Sequence, residues 1–142
     1  MPTMTDAEAI AFIAAMPART AKLATVTRDG APQVAPIWVA VDDRDLVFTT
    51  GRDTAKGKAL QRDPRVSLCF DDERPPFSFV IVRGTVTLSN DLDEMLRWAT
   101  IIGGRYMGDD VADSYGRRNA VPEELLVRVT VAKFIAVSNV AD

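Results

Sequence analysis

The sequence predicts a mainly β protein, an antiparallel β-barrel with flanking helices, and three observations carry that expectation. Short runs rich in β-branched and aromatic residues recur along the chain with Gly, Asp and Pro turns between them. Helical patterns occur only at the start, between two strands and in one late insertion. Six or seven strands so arranged do not wind easily into a parallel α/β sheet, whereas closing an antiparallel barrel removes exposed edges. The 142 residues, 47% apolar and 26% charged, suit a single domain over 1–142 with one core.

The elements follow in order. Thr5-Asp6-Ala7-Glu8 is a capping box, and Ile10, Ile13 and Ala14 continue at helical spacing until Pro17 stops the pattern. Residues 20–27 (TAKLATVT) form a strand, Asp29-Gly30 supplies a hairpin turn, and residues 32–41 return. A polar turn over 42–45 leads to the apolar strand 46–50 (LVFTT), which completes a three-strand meander. Residues 54–62 form a short basic helix, with Asp53 or Thr54 as N-cap and Asp63-Pro64 as its stop.

Strands resume over 65–71 and, after the Pro75-Pro76 break, over 77–88, where Gly84 marks a bulge or bend. An amphipathic helix spans 91–103, a weaker one 109–119, and strands over 125–131 and 134–140 close the chain. No repeat, linker or low-complexity segment is found.

Composition narrows the chemistry. There is no histidine, so His-based triads and the usual zinc sites are excluded, and any reactive chemistry belongs to a bound organic cofactor. A single cysteine, Cys69, cannot form an internal disulfide and reads as a small buried hydrophobe. The charge of −3 gives no general attraction to nucleic acid or anionic membranes. No apolar run is long enough to span a bilayer, and Asp6 and Glu8 replace the basic start of a secretion signal, so a cytoplasmic location is expected. Asp71-Asp72-Glu73 before the Pro-Pro loop reads as a solvated acidic run rather than a metal site.

The segment with most chemistry is Thr49-Thr50-Gly51-Arg52-Asp53-Thr54-Ala55-Lys56-Gly57-Lys58, which sets hydroxyls and cations at a strand-to-helix junction. Such a junction is either a phosphate site or a solvated basic helix. Ile37 and Trp38 are open to two readings, barrel core or ligand wall, and Pro36 suits a strand edge or a ligand-facing position. Phe77 and Phe79 read as core or dimer-interface residues. Tyr106 follows Gly103-Gly104 and is open to ligand contact or to packing.

Residues 49–68 (TTGRDTAKGKALQRDPRVSL) resemble the phosphate-binding strand, helix and following strand of the pyridoxamine-phosphate-oxidase-like FMN-binding split barrels. The resemblance is closer to the branch that uses the deazaflavin coenzyme F420. Residues 23–38 (LATVTRDGAPQVAPIW), 77–86 (FSFVIVRGTV) and Tyr106-Met107-Gly108 fit the same branch, so the likeness runs over about residues 20–140. It implies a homodimeric split β-barrel with a cofactor, F420 or alternatively FMN, in a groove between two chains.

By position, Lys56 and Lys58 would hold the cofactor phosphate, with Thr49, Thr50 and Thr54 as nearby donors, and Pro36, Ile37 and Trp38 would lie along the flat ring. Lys58 stands where many relatives have Arg, and Ala59 where they have Asn; Arg grips a phosphate bidentately and Lys does not. The implied activity is hydride transfer from reduced F420 to an activated double bond of a small organic acceptor, with no catalytic side chain. Two alternatives stand beside it, an FMN-dependent oxidoreductase and a non-catalytic module that binds a flavin or tetrapyrrole. Action on vitamin B6 phosphates is disfavoured, because the Arg/His-containing C-terminal segment of that activity has no counterpart in Val140-Ala141-Asp142.

Overall fold

The computed structural model describes residues 2–142. Helix α1 (Asp6–Ala14) begins at the expected capping box: Thr5 accepts from the Glu8 amide at 3.1 Å and Glu8 accepts from the Thr5 amide at 3.0 Å. Two carbonyls of its last turn have no intrahelical partner, and Arg105 supplies one from far along the chain, donating to Ile13 O and Ala14 O at 2.6 and 2.8 Å.

Seven strands follow: β1 (Ala21–Val26), β2 (Pro32–Ile37), β3 (Ala40–Asp42), β4 (Asp45–Gly51), β5 (Arg65–Asp71), β6 (Phe79–Ser89) and β7 (Glu124–Val137). They form one antiparallel sheet in the order β2-β1-β5-β6-β7-β4-β3. Helix α2 (Ala55–Arg62) joins β4 to β5. Helices α3 (Leu92–Met107) and α4 (Ala112–Asn119), linked by a 3-10 turn at Asp109–Val111, lie between β6 and β7. The architecture is a mainly β split barrel with flanking helices, as expected.

Three elements differ from the sequence reading, each for a physical reason. The return strand expected over 32–41 is broken at Trp38 and Val39. Strands β2 and β3 are opposite edges of the sheet, so these two residues carry the chain from one edge to the other and curl the sheet round. The two closing strands are one 14-residue strand, β7, which bends without breaking. The register with β6 shifts between Arg83 and Gly84, leaving Ala132 as the extra residue. Gly84 is required at that bend, since a Cβ there would sit 2.3 Å from Thr130 O. Helix α3 runs through Gly103-Gly104 to Met107, four residues past the expected end.

The main core fills the inner face of the sheet with Leu23, Phe48, Leu68, Phe70, Val80, Val82 and Val127, and α1 adds Ala9 and Ile13. Side chains alternate along a strand, so the other face of β3, β4 and β7 presents Ala40, Val47 and Leu126. Met95, Trp98 and Ile102 of α3 cover them in a second cluster. The helical insertion is thereby fixed across the outside of the barrel, beside the corner where β2 turns into β3.

Candidate functional site

A cavity of about 310 Å³ opens where that corner, the β4-to-α2 junction and α3 meet. Six of the eight residues singled out from the sequence line it: Pro36, Ile37, Trp38, Thr49, Thr50 and Lys56. The remaining two, Thr54 and Lys58, lie outside the lining.

The junction explains the difference. Thr54 is the N-cap of α2; its hydroxyl donates to Gly51 O at 2.7 Å and accepts from the Gly57 amide at 3.1 Å. Both bonds tie strand end to helix start and use the hydroxyl locally. Gln61 reinforces the loop, donating to Arg52 O at 2.9 Å and Gly57 O at 3.0 Å. Lys56 is thus held in the first turn of α2 at the cavity, while Lys58 is exposed.

Thr49 and Thr50 face opposite ways by strand alternation. Thr49 pairs with Leu126 and shares the outer face. Thr50 pairs with Leu125 on the face of the main core, is only 3% exposed, and its Oγ1 has no hydrogen-bond partner.

The aromatic wall is built by tertiary contact. Trp38 stacks on Tyr106 with centroids 5.1 Å apart and planes 5° from parallel, and Tyr115 of α4 meets it at 57°. The Tyr106 hydroxyl donates to Arg19 O at 2.6 Å and accepts from the Val39 amide at 3.2 Å. Of the two roles open to Tyr106, the structure gives packing: it sits in α3 and pins the β2–β3 crossing. Neither Phe77 nor Phe79 lines the cavity; Phe77 precedes β6 and Phe79 is half-buried within it.

Five lining residues had no sequence signal: Ala99, Ile102 and Gly103 of α3, Asn119 at the end of α4, and Glu124 at the start of β7. Glu124 pairs with Gly51, a register no spacing announces. Lys56 and Glu124 are the charged lining residues. Among the described residues Lys56 has no ion-pair or hydrogen-bond partner, and Glu124 Oε2 is buried without one. Burial pushes the Glu124 carboxyl above its ordinary range; Lys56 pulls it back and Glu123 pushes it further up.

The lining offers one cation, one acid, an amide and a flat aromatic wall, residue types that fit a planar group with an anionic tail. The buried, unpartnered Glu124 oxygen is the observation that calls for a ligand, because such an atom costs free energy until paired.

Cys69 is half-buried in β5 rather than fully buried, its thiol pushed up by burial and by Asp71. In the acidic run, Asp71 pairs with Lys22 and Asp72 with Arg19 and Arg74. A second hollow of about 500 Å³, lined by Ala24, Val26, Pro32, Arg65, Arg83 and others, contains none of the residues singled out from the sequence. No described helix is long and apolar enough to cross a membrane.

Several known proteins resemble the chain. It is 35% identical over 78 residues to a pyridoxine/pyridoxamine 5'-phosphate oxidase of Alkalilimnicola ehrlichii, a match spanning 54% of this chain and only 39% of that protein. The conserved hypothetical protein Rv2991 of Mycobacterium tuberculosis superposes with TM-score 0.80 at 25% identity, covering 94% of this chain and 84% of that one. A structure described as an F420 reductase superposes with TM-score 0.64 at 26% identity, covering 82% of this chain and 88% of that one. The family model of pyridoxamine 5'-phosphate oxidase matches residues 5–138, from the N-cap of α1 to just beyond β7, and the chain belongs to that family.

Proposed function

We propose that the chain is an oxidoreductase that uses reduced coenzyme F420 as hydride donor to an activated double bond of a small organic acceptor. The observation that carries this reading is the cavity that gathers Pro36, Ile37, Trp38, Thr49 and Lys56 beside an unpartnered buried carboxyl. The likeness to an F420 reductase supports the deazaflavin, and the likeness to a pyridoxine/pyridoxamine 5'-phosphate oxidase supports FMN as the alternative.

The cofactor supplies the hydride when bound; everything else falls to the chain. Lys56 offsets the charge of the anionic tail, and Thr49 offers a hydroxyl on the same face. Trp38, held rigid by Tyr106 and Tyr115, sets the plane against which a ring lies. Ala99 and Ile102 of α3 add apolar lining to the same cavity. Catalysis in this reading is alignment of donor and acceptor at short distance.

A second copy of the chain completes the groove. The outer face of β2 and β1 carries Pro32, Val34 and Pro36 opposite Val26, Ala24 and Lys22, and Val34 is 71% exposed. Pro36 belongs both to this face and to the cavity lining, so a partner packed here reaches the cofactor.

Titration of the purified protein with F420 and with FMN tests the reading. Wild type is expected to bind F420 more tightly, and Lys56→Ala to weaken binding by about 1.5–3 kcal/mol, the worth of a charge-assisted hydrogen bond. Preference for FMN would transfer the proposal to the alternative cofactor, and unchanged affinity in the variant would remove Lys56 from the site. Binding without turnover of any quinone, enone or bilin acceptor would favour a passive binding module.

A further inference from the structure

The cavity's one cation shares its lining with an acid to which it is not ion-paired. Glu124 follows Glu123 at the start of β7, level with Gly51 at the end of β4, so its carboxyl meets Lys56 of α2 across the cavity. The two are close enough for Lys56 to act on the Glu124 charge, yet they form no ion pair within 4.0 Å, and Glu124 Oε2 is buried without a hydrogen-bond partner. The other lining residues bring no charge: Pro36, Ile37 and Trp38 come from β2 and its crossing, Thr49, Thr50 and Gly51 from β4, Ala99, Ile102 and Gly103 from α3 and Asn119 from α4.

An anion docking on Lys56 therefore meets Glu124 as well. Ionised, that carboxylate can only accept hydrogen bonds and repels a second negative charge in a partly buried setting. Neutral, it has an O–H that can donate to an anionic oxygen, and its unpartnered atom is satisfied. We propose that Glu124 is a specificity-determining residue that takes up one proton from solvent when a phosphate-type anion engages Lys56. The ligand class is a phosphate-type oxyanion, and the inference rests on the reading of this cavity as the cofactor site.

Proton uptake follows from linkage: a bound anion that favours the neutral acid makes its own affinity fall as pH rises. The burial that already pushes the Glu124 carboxyl up acts in the same direction, while Lys56 opposes it until the anion engages its charge. Glu123 raises it further.

Sulfate is the probe, because it remains a dianion throughout the range and contributes no titration of its own. Its affinity is measured by calorimetry from about pH 5 to about pH 8, in two buffers of different ionisation heat, for wild type, Glu124→Gln and Lys56→Ala. Wild-type affinity is expected to fall about tenfold across this range, a free-energy change of ordinary size for one neighbouring charge. The buffer pair should report uptake of close to one proton at its upper end. Glu124→Gln should bind with a flat profile and exceed wild type at the alkaline end. A flat wild-type profile, a profile parallel to that of Glu124→Gln, no proton uptake, or no sulfate binding even at acid pH would each overturn the proposal. The uptake measurement needs no variant and stands if Glu124→Gln folds poorly. Sulfate affinity unchanged in Lys56→Ala would remove the cofactor site itself; a strong Lys56 effect without pH dependence would remove only the role of Glu124.

Discussion

Lys56 and Glu124 show how differently two site residues can be written in a sequence. Lys56 was legible because it belongs to a local pattern, a strand, a glycine, a capping threonine and a basic turn, and local patterns survive in the sequence. Glu124 is the neighbour of Lys56 only through the pairing of β4 with β7, some seventy residues apart in the chain. Burying the Glu124 carboxyl has a cost that depends on pH. Because the folded chain holds this proton more tightly than the unfolded one, stability falls as pH rises through the unfolded and then the folded value, and the loss is complete above both. Glu124→Gln is therefore expected to raise the melting temperature at neutral pH and to leave it nearly unchanged well below pH 4, a comparison made by thermal unfolding at two pH values. Cys69 gives a second residue-scale expectation. With its thiol pushed up by burial and by Asp71, it should react slowly with a thiol reagent at neutral pH and faster as pH rises. Rapid reaction near pH 7 would show a thiolate the structure does not support.

Among the elements, those fixed by nearest neighbours matched their sequence signals, and so did most strands, β5 over Arg65–Asp71 to the residue; the departures in the sheet lie where it curls. The α1 capping box, the Asp-Gly hairpin and the α2 boundaries need only a few consecutive residues, and all were visible. The split of the return strand at Trp38 and the bend of β7 at Ala132 answer to the curl of the whole barrel, which no window of sequence contains. Gly103-Gly104 is the instructive case. Two glycines read as a helix end, yet α3 continues because Gly103 lets α4 approach: a Cβ there would lie 2.4 Å from the Tyr115 Cβ. Gly103→Ala should therefore separate α3 from α4 and cost roughly 1–3 kcal/mol in denaturant unfolding. Since Tyr115 and Tyr106 both brace Trp38, the same variant should also weaken cofactor binding. A variant as stable as wild type would mean that the two helices do not need this contact.

At the scale of the molecule, two open regions bear on the proposed function: the cavity at the β2–β3 corner and the largely apolar outer face of β1 and β2. Pro36 joins them, so the proposed cofactor binding and the proposed self-association belong to one account. Val34→Asp places a charge in the middle of the exposed strip and should shift a dimer toward monomer in analytical ultracentrifugation, with a parallel loss of cofactor affinity. An unchanged mass would move the interface elsewhere. The most direct test is an experimental structure of the protein with F420 or FMN bound. The account predicts the anionic tail against Lys56 and Glu124, the ring along Pro36, Ile37 and Trp38, and a second chain closing the groove. A cofactor seated in the larger hollow near Arg65 and Arg83, with Lys56 turned to open solvent, would contradict it.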